Sequence, residues 1–341
     1  MGLRFEYEKG QLEGRADVLC VDGVFDCGRN LSHWPGHRTP PHLRHDLSTG
    51  ICLNLAADPG RAQFLRGVEI VANNHYDTDG LCSLFAALEP EAALSLKAPL
   101  LRAAAAGDLE QVENSNALAF DCIVSELSHH LRSPLIEEVE GLDDDRRHEV
   151  CYRWLLERVP EILTEPETHA EMWRETVRGF EEEMATFEGG ESNVEWRPVS
   201  KIALIRSARP LHTHALVTAA NRRCDGGRLF GRVARILSVV GTPSGTLYRF
   251  IHATHSWFDF VTPIPRRFEL AEVARTLQSK EEADGRWVAA TVDVPLCDLV
   301  FGRPTQRESV LDSAGEALFS ALPERVVLEI IEAAATPPRP S

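Results

Sequence analysis

Positive charge is what this chain has least of. Its 341 residues carry 36 Lys and Arg against 52 Asp and Glu, a formal charge of −16, and its lysines are confined to Lys9, Lys97, Lys201 and Lys280. A protein that grips long nucleic acid needs a basic face, so that class of function is set aside. A small anionic substrate, held by a metal and a few arginines, remains compatible. No C-x-x-C pair occurs among the eight cysteines, which argues against a zinc knuckle and for buried thiols in a reducing compartment. No apolar run at the N-terminus reaches the length of a signal peptide or membrane helix, so a cytoplasmic protein without membrane contact is expected. There is no P-loop and no internal repeat, and Gly226-Gly227 is too little for a dinucleotide fingerprint. With 43% hydrophobic residues the chain can still bury the cores of two domains. Its oligomeric state is left open, a homo-oligomer included.

What is present is concentrated in Val68–Leu88, VEIVANNHYDTDGLCSLFAAL. Val68, Ile70, Val71 and Ala72 form an apolar run short enough for a buried strand. His75-x-Asp77-x-Asp79 follows, then Gly80, then Leu81, Leu84, Phe85 and Leu88 at helical spacing. The stretch reads strand, acidic loop, helix, and ligands bind at the C-terminal ends of strands in open α/β sheets. One imidazole and two carboxylates at alternating positions suit a divalent cation such as Mn²⁺, Mg²⁺ or Zn²⁺. The plainer reading is a turn, with Asp79 capping the helix.

A second stretch repeats the arrangement. Ala16–Val21, ADVLCV, reads as a short buried strand ending at Asp22-Gly23. The loop after it holds His33, His37, His42 and His45 within thirteen residues, beside Arg38. Asp46 or Ser48 can cap a helix carrying Ile51, Leu53 and Leu55.

The His75–Ser83 stretch resembles motif I of the DHH phosphoesterases, an apolar strand followed by His-x-Asp-x-Asp-Gly and a helix. Its spacing is closer to the RecJ-like and oligonucleotide-phosphatase branches than to the pyrophosphatases. The strand ending in Asp22 resembles the family's motif II. Ser32-His33-Trp34-Pro35-Gly36 resembles a degraded Asp-His-His motif III, with Ser32 for the Asp and Trp34 for the second His. Ser48-Thr49-Gly50 stands where the family has a Ser/Thr-rich helix start. Motifs II and III precede motif I here, so the resemblance implies a circularly permuted chain. It further implies a pair of divalent ions, Mn²⁺ first and Mg²⁺ or Zn²⁺ as alternatives. The implied metal ligands are Asp22 as the bridge, His75, Asp77, Asp79 and, after the later helices, Asp108. His33 and His37 are the candidates that complete the site or stabilise the leaving oxygen. Asp108 reads equally as a helix terminus beside a Gly stop.

The remaining chain sets the expected division. Residues 1–15 read as an exposed lead-in, and 16–188 as an α/β metal-binding domain with a parallel sheet, flanking helices and a helical extension. Its helices include Asn116–Arg132, with His129-His130 complementing the helix dipole. Gly189-Gly190-Glu191-Ser192 reads as a linker. Residues 193–332 read as a C-terminal region rich in antiparallel strands, ALVTAANR and a hairpin turn at Thr242–Gly245 among them. The tail 333–341 reads as disordered. His212-x-His214 on a strand would share one face, and with His252, His255 and Arg249 could complete a pocket. Arg38, Arg266 and Arg267 are the candidate phosphate-binding residues. The expected activity is metal-dependent hydrolysis of a phosphoester or phosphoanhydride in a small substrate. The rivals are a metal-dependent lyase or C–N hydrolase, and a non-catalytic binding protein with a decayed site.

Overall fold

A computed structural model describes residues 2–128, 133–224, 233–303 and 317–336. The fold is α/β. The chain divides into one compact unit of Met1–Gly179 with Phe258–Val261, and a second of Phe180–Trp257 with Thr262–Ser341. The division falls inside the helix Arg174–Glu188, ahead of the Gly189–Ser192 linker reading.

The first unit is built on four parallel strands: β1 (Arg4–Tyr7), β2 (Val18–Val21), β3 (Arg29–Leu31) and β4 (Ile70–Asn73), in the order β1-β4-β2-β3. β2 and β4 are buried at every residue, as central parallel strands must be, which is why they read as unbroken apolar runs. Alternate residues face opposite ways. Val18, Cys20, Ile70 and Ala72 meet Leu12, Phe25 and Cys27 on one face. The helices Ser48–Ala57, Thr78–Leu88 and Lys97–Asp108 pack on one another within the same unit, and Asp144–Leu156 packs on β1.

Residues 1–15 are therefore not a lead-in. Phe5 and Tyr7 alternate with Arg4 and Glu6, and this period-two pattern makes the edge strand β1. The helix read at Asn116–Arg132 runs from Ser115 to Leu127, capped by Asn114, whose side chain accepts the Ala117 N–H. His129 and His130 lie outside the described residues.

The second unit is a six-stranded mixed sheet, β5 (Asn193–Arg197), β6 (Ile202–Ser207), β7 (Arg235–Thr242), β8 (Gly245–His252), β9 (Arg286–Ala289) and β10 (Cys297–Gly302), ordered β5-β6-β7-β8-β10-β9. All neighbours are antiparallel except β6 and β7. The hairpin expected at Thr242–Gly245 joins β7 to β8. One sheet face packs on the helices Leu270–Gln278 and Glu324–Ala335. ALVTAANR lies in a helix, Thr213–Cys224, and not in a strand. Parallel neighbours need a crossover, and Ala215, Leu216 and Ala219 at helical spacing supply its buried stripe. His214 consequently lies on that helix and His212 just ahead of it, so the shared strand face does not exist. The helix Glu324–Ala335 also overruns the start of the expected tail, of which 337–341 lie outside the described residues. Among the described residues no helix is long and apolar enough to cross a membrane.

Candidate metal centre

Adjacent parallel strands present their C-terminal ends on one edge, and β2 and β4 are adjacent. Asp22 directly follows β2. Its backbone is in the left-handed region, φ +53°, while its N–H still donates to the Leu31 carbonyl at 2.9 Å. A non-glycine residue held there costs free energy, and such strain gathers at functional sites. Gly23 beside it lets the loop after β4 approach closely: a Cβ there would lie 2.2 Å from Asn74 Oδ1 and would push that side chain aside.

That loop carries His75 and Asp77. Asp77, and not Asp79, caps the helix Thr78–Leu88, accepting the Gly80 N–H at 2.7 Å. Asp79 instead accepts the Ser48 and Thr49 amides, both at 2.8 Å, at the start of the neighbouring helix Ser48–Ala57. Neither Asp46 nor Ser48 caps that helix; its N-cap is Leu47, which has no side-chain acceptor, and the Asp79 carboxylate fills the role from another element.

Two groups of potential ligands result. Asp22, His33, Asp79 and Asp108 form one, and Asp22, His75 and Asp77 the other, with ligand atoms within 4.8 Å of one another in each. Asp22 belongs to both and divides its oxygens between them. Oδ1 lies 3.5 Å from His33 Nε2, and Oδ2 lies 3.2 Å from His75 Nε2. His33 Nε2 is also 3.2 Å from Asp108 Oδ2 and 3.9 Å from Asp79 Oδ2, and His75 Nε2 is 2.9 Å from Asp77 Oδ2. The Asp22, His33 and Asp79 side chains have no exposure and Asp108 has 7%, whereas His75 and Asp77 have 23% and 33%. The first group is thus enclosed and the second opens to solvent.

Two features fit this inner group to a cation. Asp22 Oδ1 and His33 Nε2, 3.5 Å apart, are both buried without a hydrogen-bond partner, a costly state for two polar atoms that face one another. His33 is also preset: its Nδ1 lies 2.7 Å from the Asp46 carbonyl, which takes the ring proton there and leaves Nε2 as a lone pair towards the carboxylates. Phe258 stacks on the ring with centroids 3.8 Å apart, and the His33 N–H donates to Ser48 Oγ at 3.2 Å. The donors are oxygen and imidazole nitrogen only, which excludes a preference for thiophilic ions.

The electrostatics agree. Burial, then the charges of Asp77 and Asp79, push the Asp22 carboxyl well above the usual carboxylate range. The same causes in the same order raise Asp108. Burial opposes a charge on His75, but Asp77 and Asp22 outweigh it and raise its pKa. Asp77 is lowered because His75 overcomes its burial. This is a site with too much negative charge for its dielectric, the imbalance that a bound cation reverses.

The structure thus gathers Asp22, His33, His75, Asp77, Asp79 and Asp108. His37 stays outside both groups; its Nε2 lies 3.6 Å from Asp259, and its Nδ1 accepts the Thr39 N–H. Arg38 spends its guanidinium on the Cys27 carbonyl, at 2.6 Å, and so braces its loop. Arg267 donates to the carbonyls of Val292, Val294 and Pro295 and to Ser256 Oγ, which commits it to holding chain in the second unit. Arg266 is exposed in that unit. The sequence reading leaves out Tyr152, whose hydroxyl bonds the backbone of the His75–Asp77 loop, and names Trp34 only as a departure from motif III, whereas its ring tilts against His75 at 4.7 Å. Trp34 stands where the resemblance expected a second His, and aromatic residues packed on a loop leave no spacing to read.

A family model described as a family of unknown function, DUF6687, matches residues 7–335, and the chain belongs to that family. No curated protein and no solved structure matches the chain.

Proposed function

We propose that this member of the family is a two-metal hydrolase of phosphoester or phosphoanhydride bonds in a small substrate, laid out as a circularly permuted DHH phosphoesterase. The observation that carries the reading is the Asp22 carboxylate, which turns one oxygen to each of two separate ligand groups. A carboxylate so placed can bridge two ions at the roughly 4 Å spacing of binuclear hydrolases. Asp22, His33, Asp79 and Asp108 would hold the enclosed ion, and Asp22, His75 and Asp77 the outer one, with Mn²⁺ the expected metal. Two such ions supply Lewis acidity towards water and towards the phosphoryl oxygens.

The residues assign the rest. The Asp46 carbonyl fixes the His33 tautomer, and Asp79 is fixed by two backbone amides, so the enclosed position is preorganised. The partial exposure of His75 and Asp77 makes the outer position the approach for substrate. Arg38 is bound to the Cys27 carbonyl, so substrate charge would be met chiefly by the ions.

The test is a chelator-stripped protein reloaded with Mn²⁺, Mg²⁺ or Zn²⁺. It is assayed on p-nitrophenyl phosphate, bis-p-nitrophenyl phosphate, pyrophosphate and nucleotides, beside unphosphorylated amides. Turnover of a phosphorylated substrate that needs metal and is lost in Asp22→Asn supports the reading. Turnover of the amides alone moves the site to C–N hydrolysis, and metal-free protein that never takes up an ion leaves a decayed site.

A further inference from the structure

The second face of the six-stranded sheet lies opposite the helices Leu270–Gln278 and Glu324–Ala335. The helix Thr213–Cys224 lies over β5, β6 and β7, while β8 and β10 continue past it. Tyr248, Phe250, Leu299 and Phe301 point into the core on the first face, so Arg249 and Asp298 point out of the second. There a cavity of about 340 Å³ is walled by Leu216, Val240, Leu247 and Val300, with Arg249 and Asp298 among its lining. Its size and its apolar walls with a few convergent polar groups are those of a small-molecule site.

The two charged residues are paired and underused. Arg249 Nε donates to Asp298 Oδ2 at 2.7 Å and Nη1 donates to Thr213 Oγ1 at 2.9 Å. Arg249 Nη2 and Asp298 Oδ1 have no hydrogen-bond partner among the described residues. The Asp298 side chain is 3% exposed and that of Arg249 24%. An apolar pair would hold a sheet face as well as a desolvated ion pair does, so stability alone does not account for it. What the pair adds is one donor beside one acceptor, with no net charge between the two, in a cavity whose lining also includes His212, paired with Glu183, and Arg303.

We propose that this cavity is a binding site for a neutral ring molecule with a lactam edge, a C=O beside an N–H, as in a uracil- or guanine-type base. Arg249 Nη2 donates to the carbonyl, Asp298 Oδ1 accepts from the ring N–H, and the apolar walls take the ring faces. The lining residues all belong to the second unit, and the proposal stands without the hydrolase reading.

The experiment is calorimetric titration of the full chain, held in EDTA, with uridine and with guanosine. N3-methyluridine and N1-methylguanosine are titrated alongside. Saturable binding is expected for at least one nucleoside, and the two arms tell a pyrimidine site from a purine site. Its methylated partner should bind about tenfold more weakly or worse, since it leaves Asp298 unpaired. Leu247→Trp, which fills the cavity, and the double variant Arg249→Met with Asp298→Leu, which removes both charges together, should each lower affinity by about tenfold or more. No binding of either nucleoside at millimolar concentration overturns the proposal. So does equal binding of the methylated forms, which needs no variant to fold.

Discussion

Asp22 Oδ2 lies 3.2 Å from His75 Nε2, an approach that two adjacent parallel strands, β2 and β4, impose on residues far apart in the chain. The other Asp22 oxygen faces His33, so one carboxylate is common to both ligand groups. Removing it should therefore cost both ions, whereas removing a ligand of one group should cost one. Elemental analysis is expected to give about two divalent ions per chain for the natural protein, about one for Asp108→Asn and close to none for Asp22→Ala. Asp108 is the better single-site probe, because Asp79→Ala also strips two amide acceptors from the helix Ser48–Ala57 and should cost about 1–2 kcal/mol of stability. Equal metal content in all three proteins would remove the bridging role.

Much of this centre could be read from residues in order. Each of β2 and β4 is an apolar run that ends in an acidic loop, and two such strands in one parallel sheet must present those loops together. Asp108 was ambiguous because a helix C-terminus and a ligand look alike in one dimension. Asp79 looked like a cap for its own helix and caps another, since a carboxylate in a first turn reaches whichever amides tertiary packing brings near. Phe258 could not be read at all. It comes from the far half of the chain and joins the first unit as part of a four-residue insertion, Phe258–Val261. The helix Thr213–Cys224 was misread for a different reason: a short Ala-, Val- and Thr-containing run fits a buried strand and a buried helix alike.

Tyr152 acts through the loop it holds. Its hydroxyl accepts the Asp77 N–H at 3.1 Å and reaches the His75 carbonyl at 3.0 Å, and a Cβ on Gly80 would lie 2.6 Å from it. Tyr152→Phe keeps the ring and loses these bonds. The outer ion should then bind about tenfold more weakly, with the enclosed ion unaffected. Stability should fall by about 1 kcal/mol. Titration of Mn²⁺ into stripped protein separates the two positions. An outer affinity unchanged while stability falls would make Tyr152 a packing residue only.

Arg267 should be a stability residue. Its guanidinium is shared among the carbonyls of Val292, Val294 and Pro295 and the Ser256 hydroxyl, and burial lowers its pKa. Arg267→Ala leaves the Val292, Val294 and Pro295 carbonyls without this donor and should cost about 1–2 kcal/mol, read by urea unfolding. Arg266→Ala, at an exposed position, should stay within about 0.5 kcal/mol. A raised KM for an anionic substrate in Arg267→Ala, with unfolding unchanged, would return Arg267 to substrate binding.

His252 should make the second unit sensitive to acid. The ring is 1% exposed, lies edge-on to Phe250 and Phe268, and leaves Nδ1 without a partner. Burial, then the nearby charges of Arg267 and Arg235, depress its pKa to about 3, while the Phe268 backbone pulls weakly the other way. In the unfolded chain the same ring titrates near its ordinary value of about 6.5. A depressed pKa means that the unfolded state takes up a proton first. The neutral ring therefore contributes fully above about pH 6.5, and its contribution is lost as pH falls from there towards about 3. The total is on the order of a few kcal/mol. His252→Leu removes the titration while keeping an apolar group against Phe250 and Phe268. It should match the natural protein in urea unfolding at pH 7.5 and exceed it at pH 5 and pH 4. Parallel pH profiles for the two proteins over that range would show that His252 is not the group that titrates.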